Sequence, residues 1–223
     1  MNGQGSFRLI NARPSPYGRR VAIVLIEKGL DYEVTYDVPW GSDTCTPEHS
    51  PFQQLPILIA PDGEGLYESS YILEWLEAKY PEPPLLPVGI DSRLEARQRQ
   101  MLGERLMDFV QALVFEHNRA APSPAWVERQ SRKVEGGLDA LEAIYARRDT
   151  AAAFDLGDLA VATTVLLFDF IVPAGLAPDL PQLRWRGRAP HLAAAADRLD
   201  RRPSFAATRP QPMTVDLKAT VGA

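Results

Sequence analysis

The stretch that decides the fold runs Ser50-Pro51-Phe52-Gln53-Gln54-Leu55-Pro56-Ile57-Leu58-Ile59-Ala60-Pro61-Asp62-Gly63-Glu64-Gly65-Leu66-Tyr67-Glu68-Ser69-Ser70. Two short apolar runs, Ile57 to Ala60 and Leu66 to Tyr67, flank Pro61-Asp62-Gly63-Glu64-Gly65, a turn composition that predicts a β-hairpin. Pro56 heads the first run. Proline cannot donate to a sheet ladder, so it belongs at a strand's first residue or on an edge, and an X-Pro bond is the one cheap place for a cis peptide. The backbone of Leu55 is then left beside the sheet without a neighbouring strand. Unpaired backbone groups need a partner, and an extended peptide ligand supplies one. After the hairpin, Glu68-Ser69-Ser70 opens a helix with Ile72, Trp75, Leu76 and Tyr80 on one face, stopped at Pro81. The free N–H groups at a helix start attract a carboxylate. A strand-like edge beside a carboxylate pocket describes a site for a small acidic peptide.

Working outward toward the amino terminus, Phe7 to Ile10 reads as a buried strand. Ser15 is a good N-cap and Pro16 suits the first helical position. Val21, Val24 and Leu25 mark the buried face of that helix, and Gly29 followed by Leu30 reads as its left-handed C-cap. Tyr32 to Val38 is a second strand, and Trp40 to Gln53 is loop with at most a short helix. Strand, helix, strand, irregular segment, hairpin and helix make a parallel βαβ unit joined to an antiparallel pair.

Pro81 to Pro87 is a stiff proline linker, beyond which the pattern is helical. Ser92-Arg93-Leu94-Glu95 reads as a capping box, followed by Leu102, Leu106, Phe109, Val110, Leu113 and Val114. Ser123-Pro124 starts a helix carrying Val127, Val134, Leu138, Leu141 and Tyr145. Asp155 caps a third, with Phe154 and Leu159 spaced as a hydrophobic staple. Leu156 to Ile171 is apolar all round, so it is expected at the centre of an all-α half. Leu192 to Leu199 is the last clear helix. The expected organisation is residues 1–80, a linker at 81–89 and a helical domain at 90–223.

Composition narrows the function. A net charge of −5 argues against nucleic acid, and the basic run Arg184-Trp185-Arg186-Gly187-Arg188 reads as solvated surface. Cys45 is the one cysteine, so no intrachain disulfide forms and a reducing, cytoplasmic setting is compatible. The longest apolar run, Leu159 to Phe168, is too short to span a bilayer. His49, His117 and His191 are scattered, so no metal is expected.

The whole pattern resembles a cytosolic glutathione transferase. The segments Ser15-Pro16-Tyr17-Gly18-Arg19-Arg20-Val21, Glu27-Lys28-Gly29-Leu30, Ser50 to Pro56, Leu66 to Ile72 and Arg202-Pro203-Ser204-Phe205 are similar to that family's motifs in order and spacing over nearly the whole chain. The resemblance implies a thioredoxin-like α/β first domain, an all-α helical second domain, a homodimer, a detoxification role and glutathione as cosubstrate with a small electrophile. By the same resemblance Leu55, before Pro56, pairs its backbone with the cysteinyl part of glutathione, and Glu68 and Ser69 hold its γ-glutamyl group. Gln54 faces the glycyl end, and Tyr17 lies beside the ligand. Ser15 takes the position of the activating residue, in a serine version of an omega- or zeta-like motif whose omega form carries cysteine, which speaks against thiol–disulfide chemistry. Arg13, Phe109, Phe115 and Trp126 are positional candidates for the acceptor pocket. Two readings stay open, a transferase (or a glutathione-dependent isomerase or dehalogenase) and a binding or regulatory protein with little catalysis.

Overall fold

In the computed structural model, which describes residues 6–177 and 180–214, strand β1 (Phe7–Asn11) is the spine of the first compact unit. Helix α1 (Pro16–Glu27) returns the chain so that β2 (Tyr32–Tyr36) pairs parallel to β1, Leu9 opposite Val34. A one-turn helix α2 (Thr46–His49) interrupts the loop, and β3 (Ile57–Ile59) then runs antiparallel to β1, Leu9 opposite Leu58. The hairpin partner β4 (Gly65–Tyr67) closes a four-stranded sheet in the order β2-β1-β3-β4, and α3 (Ser69–Lys79) follows. This is the thioredoxin-like α/β arrangement expected from the sequence.

Helix α1 stops where glycine permits it. Gly29 has φ +64°, its N–H bonds the Ile26 carbonyl at 3.0 Å, and the Leu30 N–H bonds the Leu25 carbonyl at 2.9 Å. These are the two bonds of a Schellman cap. Next to it the Lys28 side chain is fully buried and its Nζ reaches the Tyr80 carbonyl at 2.7 Å, the Pro83 carbonyl at 3.0 Å and Glu77 Oε2 at 2.8 Å. Three acceptors offset the cost of removing an ammonium from water. They tie the end of α1 to the end of α3 and to the cis Glu82–Pro83 turn.

The apolar face expected for α1 was narrow, yet Val21, Ala22, Ile23, Val24 and Leu25 are all buried. Besides α3 and β1, part of the cover comes from far along the chain. Residues 203–214, which sequence order places in the helical half, cluster with the first unit. Within them α8 (Pro203–Ala207) lies against α1, where Arg19 donates to the Phe205 carbonyl at 3.1 Å and Ser204 donates to Glu27.

The second unit, from Leu86 to Arg202, is helical. It contains α4 (Ile90–His117), α5 (Pro124–Tyr145), α6 (Leu156–Ile171), a 3-10 turn at Pro181–Leu183 and α7 (Pro190–Asp200). As its pattern predicted, α6 is central, buried along nearly its whole length and packed most closely on α4. Two glycines allow the approach. A Cβ on Gly103 would stand 2.8 Å from the backbone of Ala160 and Val161, and one on Gly157 would stand 2.5 Å from the Ala96 carbonyl oxygen. Gly103→Ala is therefore expected to destabilise the unit by about 1–3 kcal/mol through overpacking, read as a shift in denaturation midpoint at unchanged slope.

One local expectation fails. Helix α4 begins at Ile90 with Gly89 as N-cap, so Ser92 lies inside the first turn and its hydroxyl donates to the Gly89 carbonyl at 3.0 Å. The Ser-x-x-Glu spacing does not cap this helix, because Gly89 already supplies an extended backbone (φ −63°, ψ 135°) three residues earlier. The basic run is surface as read at Arg184, Gly187 and Arg188, and departs from that reading at Trp185. Trp185 is buried with its indole N–H 3.1 Å from Asp169, Arg186 bridges Asp169 and Asp197, and Arg188 forks onto Asp139.

Candidate active site

The turn between β1 and α1 sets the first part of the site. Ser15 is the N-cap of α1, with extended backbone (φ −65°, ψ 119°), and its Oγ accepts the Gly18 N–H at 3.2 Å. A hydroxyl has two acceptor lone pairs and one proton. Accepting from Gly18 occupies one lone pair and leaves the proton to be donated elsewhere, so capping and donation are compatible. Ser15 is half-buried. The turn is tight because Gly18 has no side chain. A Cβ there would fall 1.8 Å from Asn11 Oδ1.

The second part is the edge of the hairpin. The Leu55–Pro56 bond is cis, and Pro56 is buried. The ladders of β3 begin at Ile57, which pairs with Ile10 on one side and Tyr67 on the other. Leu55 thus stands beyond the sheet's paired residues. Gln54 beside it is exposed, and Gln53 has φ +52°.

The third part is the start of α3. Glu68 takes φ +67°, unusual for a residue with a side chain, and its carbonyl accepts the Ile72 N–H at 2.9 Å. Its carboxylate is exposed, whereas Ser69 is buried. Beneath them lies a residue the sequence reading did not single out. Arg20 is buried at 3% exposure, its Nη2 donates to Ser69 Oγ at 2.8 Å, and Ser69 Oγ stands 3.3 Å from Glu68 Oε1. The same guanidinium lies 5.2 Å from the centre of the Tyr17 ring. Arg20 thereby brings the start of α1 and the start of α3 together. Nothing in local patterning announces this, since residues 20 and 69 meet only through the fold. The one available clue is an arginine in a helix whose neighbours Val21 to Leu25 are all apolar.

The four acceptor-pocket candidates are differently placed. Arg13, in the first unit, is exposed, with its guanidinium 4.1 Å from the Tyr36 ring centre and its Nη1 donating to Gln211 at 2.8 Å. Phe109 and Phe115 are half-buried on α4, where Lys133 covers the Phe109 ring at 4.7 Å, and Trp126 on α5 is 37% exposed. A cavity of about 290 Å³ in the helical unit is lined by Leu113, His117, Pro122, Pro124, Val127 and Leu180, none of them among those four.

A polar knot fixes the loop after β2. Asp37 accepts from the Val38 N–H at 2.6 Å, Thr44 Oγ1 at 2.8 Å, Thr46 Oγ1 at 3.0 Å, the Cys45 N–H at 3.1 Å and the Cys45 thiol at 3.4 Å. Burial pushes the Asp37 carboxyl up, but these donors outweigh it and hold it below its usual range. Burial and the adjacent Asp37 both push the Cys45 thiol up. Among the described residues no group of three His, Cys, Asp or Glu side chains stands ready for a metal ion, and no helix is long and apolar enough to cross a membrane.

This fold and these motifs match a known class. The glutathione S-transferase N-terminal domain matches residues 9–84 and the C-terminal domain matches residues 124–198. The chain belongs to the glutathione S-transferase family. It is similar to a glutathione S-transferase of Methylobacterium radiotolerans, solved in complex with glutathione sulfonate, at 44% identity and a TM-score of 0.85, over 95% of this chain and 98% of that one. A glutathione S-transferase of Methylobacillus flagellatus with glutathione bound matches at 29% identity and a TM-score of 0.83, over 92% of this chain and all of that one. In sequence, the uncharacterized GST-like protein YibF of Escherichia coli is 29% identical over 209 residues, 91% of this chain and 98% of its own length.

Proposed function

We propose that this chain is a glutathione transferase that activates the thiol of bound glutathione for attack on a small electrophile. The observation that carries the reading is the 44% identical relative solved with glutathione sulfonate, a compound with a sulfonate where glutathione has its thiol. In this reading Leu55 pairs its backbone with the cysteinyl residue, Pro56 sets the edge, Gln54 faces the glycyl end, and Tyr17 flanks the ligand. Glu68 accepts the γ-glutamyl ammonium, and Ser69 with the amides opening α3 takes the carboxylate.

The chemical task is to make a thiolate near neutral pH. A free thiol with a pKa of about 8.5 is only about 3% ionised at pH 7. The Ser15 hydroxyl, donating to the sulfur anion, contributes roughly 1.5–3 kcal/mol, and the α1 N-terminus roughly 0.3–1 kcal/mol more. Together they lower the thiol pKa by about one to three. With an aryl halide the thiolate forms the new S–C bond, the carbon–halogen bond breaks, and halide leaves with its electron pair.

The test has two stages. At a hundredfold excess of glutathione over its dissociation constant the melting temperature is expected to rise by about 5–10 °C, and calorimetry to register a complex. Turnover of an aryl halide then establishes the transferase. Binding without turnover over a broad panel of electrophiles favours a binding or regulatory protein, and no complex at millimolar glutathione removes the reading.

A further inference from the structure

Resting on the glutathione reading above, we infer that the electrophile this chain takes carries a carboxylate, and that Arg13 receives it. Strands β1 and β2 run parallel and stop together at Asn11 and Tyr36, which are register partners. Ligands of open α/β sheets bind beyond the carboxyl ends of the strands. The chain leaves this end in a tight turn that contains Arg13, closed by the Ser15 N–H on the Ala12 carbonyl at 3.0 Å. Ser15 follows Arg13 by two residues, so their Cα atoms are at most about 7 Å apart. Register partners project from the same face of a sheet, and Asn11 lies against Gly18 of α1. Tyr36 is therefore on the α1 face, and the Arg13 guanidinium, 4.1 Å from its ring centre, stands on that face beside the start of α1.

This guanidinium is held in place without being neutralised. Gln211 Oε1 accepts from its Nη1 at 2.8 Å, and the Gln211 N–H donates to the Arg13 carbonyl at 3.4 Å. With the Tyr36 ring these contacts fix its direction, and they occupy one of its five N–H donors. Among the described residues no carboxylate pairs with Arg13, whereas Arg99, Arg148, Arg186 and Arg188 each meet an aspartate. Asp37, next to Tyr36, turns its carboxylate into the loop after β2. A planar fork with free donors suits a carboxylate. The reaction needs such a cation, because a thiolate and a carboxylate-bearing electrophile repel each other and the chain's net charge of −5 adds to the repulsion. With 4-chloro-3-nitrobenzoate the sulfur–carbon bond forms, the carbon–chlorine bond breaks and chloride leaves with its electron pair. The carboxylate stays on Arg13 unchanged.

The test uses two product conjugates, S-(4-carboxy-2-nitrophenyl)glutathione and its carboxamide, which differ in charge and little in size. Each is titrated calorimetrically, beside glutathione itself, against the wild type, Arg13→Gln and Arg13→Lys. The wild type is expected to bind the carboxylate conjugate about fivefold more tightly than the carboxamide, the scale of one exposed ion pair. That preference is expected to vanish in Arg13→Gln and to persist in smaller measure in Arg13→Lys, which keeps the charge without the fork. It should also shrink in the wild type as salt is raised toward about 1 M, where the screening length falls to about 3 Å. No preference in the wild type, or a preference that survives Arg13→Gln because both conjugates weaken equally, would overturn the inference and leave the glutathione reading standing. Failure of the wild type to bind glutathione would remove that reading itself, and this inference with it, an outcome distinct from every conjugate comparison.

Discussion

Ser15→Ala is expected to lower turnover about tenfold or more at pH 6.5–7 while leaving glutathione affinity nearly intact, with much of the loss recovered by pH 9. The hydroxyl is worth roughly 1.5–3 kcal/mol to the sulfur anion, so its removal raises the bound thiol's pKa by about one to two. Below that pKa little thiolate forms; above it the thiolate is present again and, having the higher pKa, is intrinsically more nucleophilic. The pH–rate curve, rather than one rate, is therefore the measurement. Ser15 also caps α1, and losing the cap costs about 1 kcal/mol with alanine but only a few tenths with glycine. Ser15→Gly is thus the matched control, with the cap largely kept and the hydroxyl gone. Equal losses of turnover in the two variants assign the effect to the hydroxyl. A loss that does not change with pH assigns it to the cap, and unchanged turnover moves the role to Tyr17.

The largest stability effect is expected at Asp155. Its Oδ1 accepts the Asp158 N–H at 2.9 Å to cap α6, and its other oxygen meets Arg99 Nη2 and Arg148 Nη2, the latter at 3.3 Å. Arg148 also reaches Asp158 at 2.7 Å, and the Tyr145 hydroxyl donates to Asp158 at 2.9 Å. Burial first, and then the Asp158 charge, push the Asp155 carboxyl above its usual range against the pull of the two arginines. The cluster is costly to assemble and costlier to break. Removing one member of a buried ion group strands the rest, at about 3–5 kcal/mol, so Asp155→Ala should lower the melting temperature by roughly 10 °C. Asp155→Asn keeps a capping oxygen and should cost less. Adding Arg99→Met to Asp155→Ala should restore part of the loss, because it removes the stranded guanidinium. A fall of under about 2 °C for Asp155→Ala would show that water reaches the cluster and carries its charges.

What the sequence made legible was local. The Ser15-Pro16 start of α1, the Gly29-Leu30 stop, the hairpin around Asp62-Gly63 and the Asp155 cap are each written within a few residues, and each formed. The Ser92 box failed because Ser-x-x-Glu needs an extended serine, and the chain had already turned helical at Ile90. Arg20 on Ser69, Arg99 on Asp155, α8 on α1 and the burial of Trp185 join positions 16 or more residues apart, up to 186 for Arg19 and Phe205. Their partners are chosen by the completed fold, not by periodicity. The same division runs through the site. Its capping and edge residues could be read from their own neighbourhoods, while the buried arginine behind them could not.

The lone cysteine carries a consequence for how such a protein survives its own chemistry. Burial and the Asp37 carboxylate at 3.4 Å both push the Cys45 thiol up, which lowers its share of nucleophilic thiolate. Cys45 is the chain's single thiol, so an alkylating compound meets no readily ionised thiol in the polypeptide itself. On the proposed transferase reading, a soft electrophile is left to the sulfur of bound glutathione, and the polypeptide is spared alkylation by its own substrate.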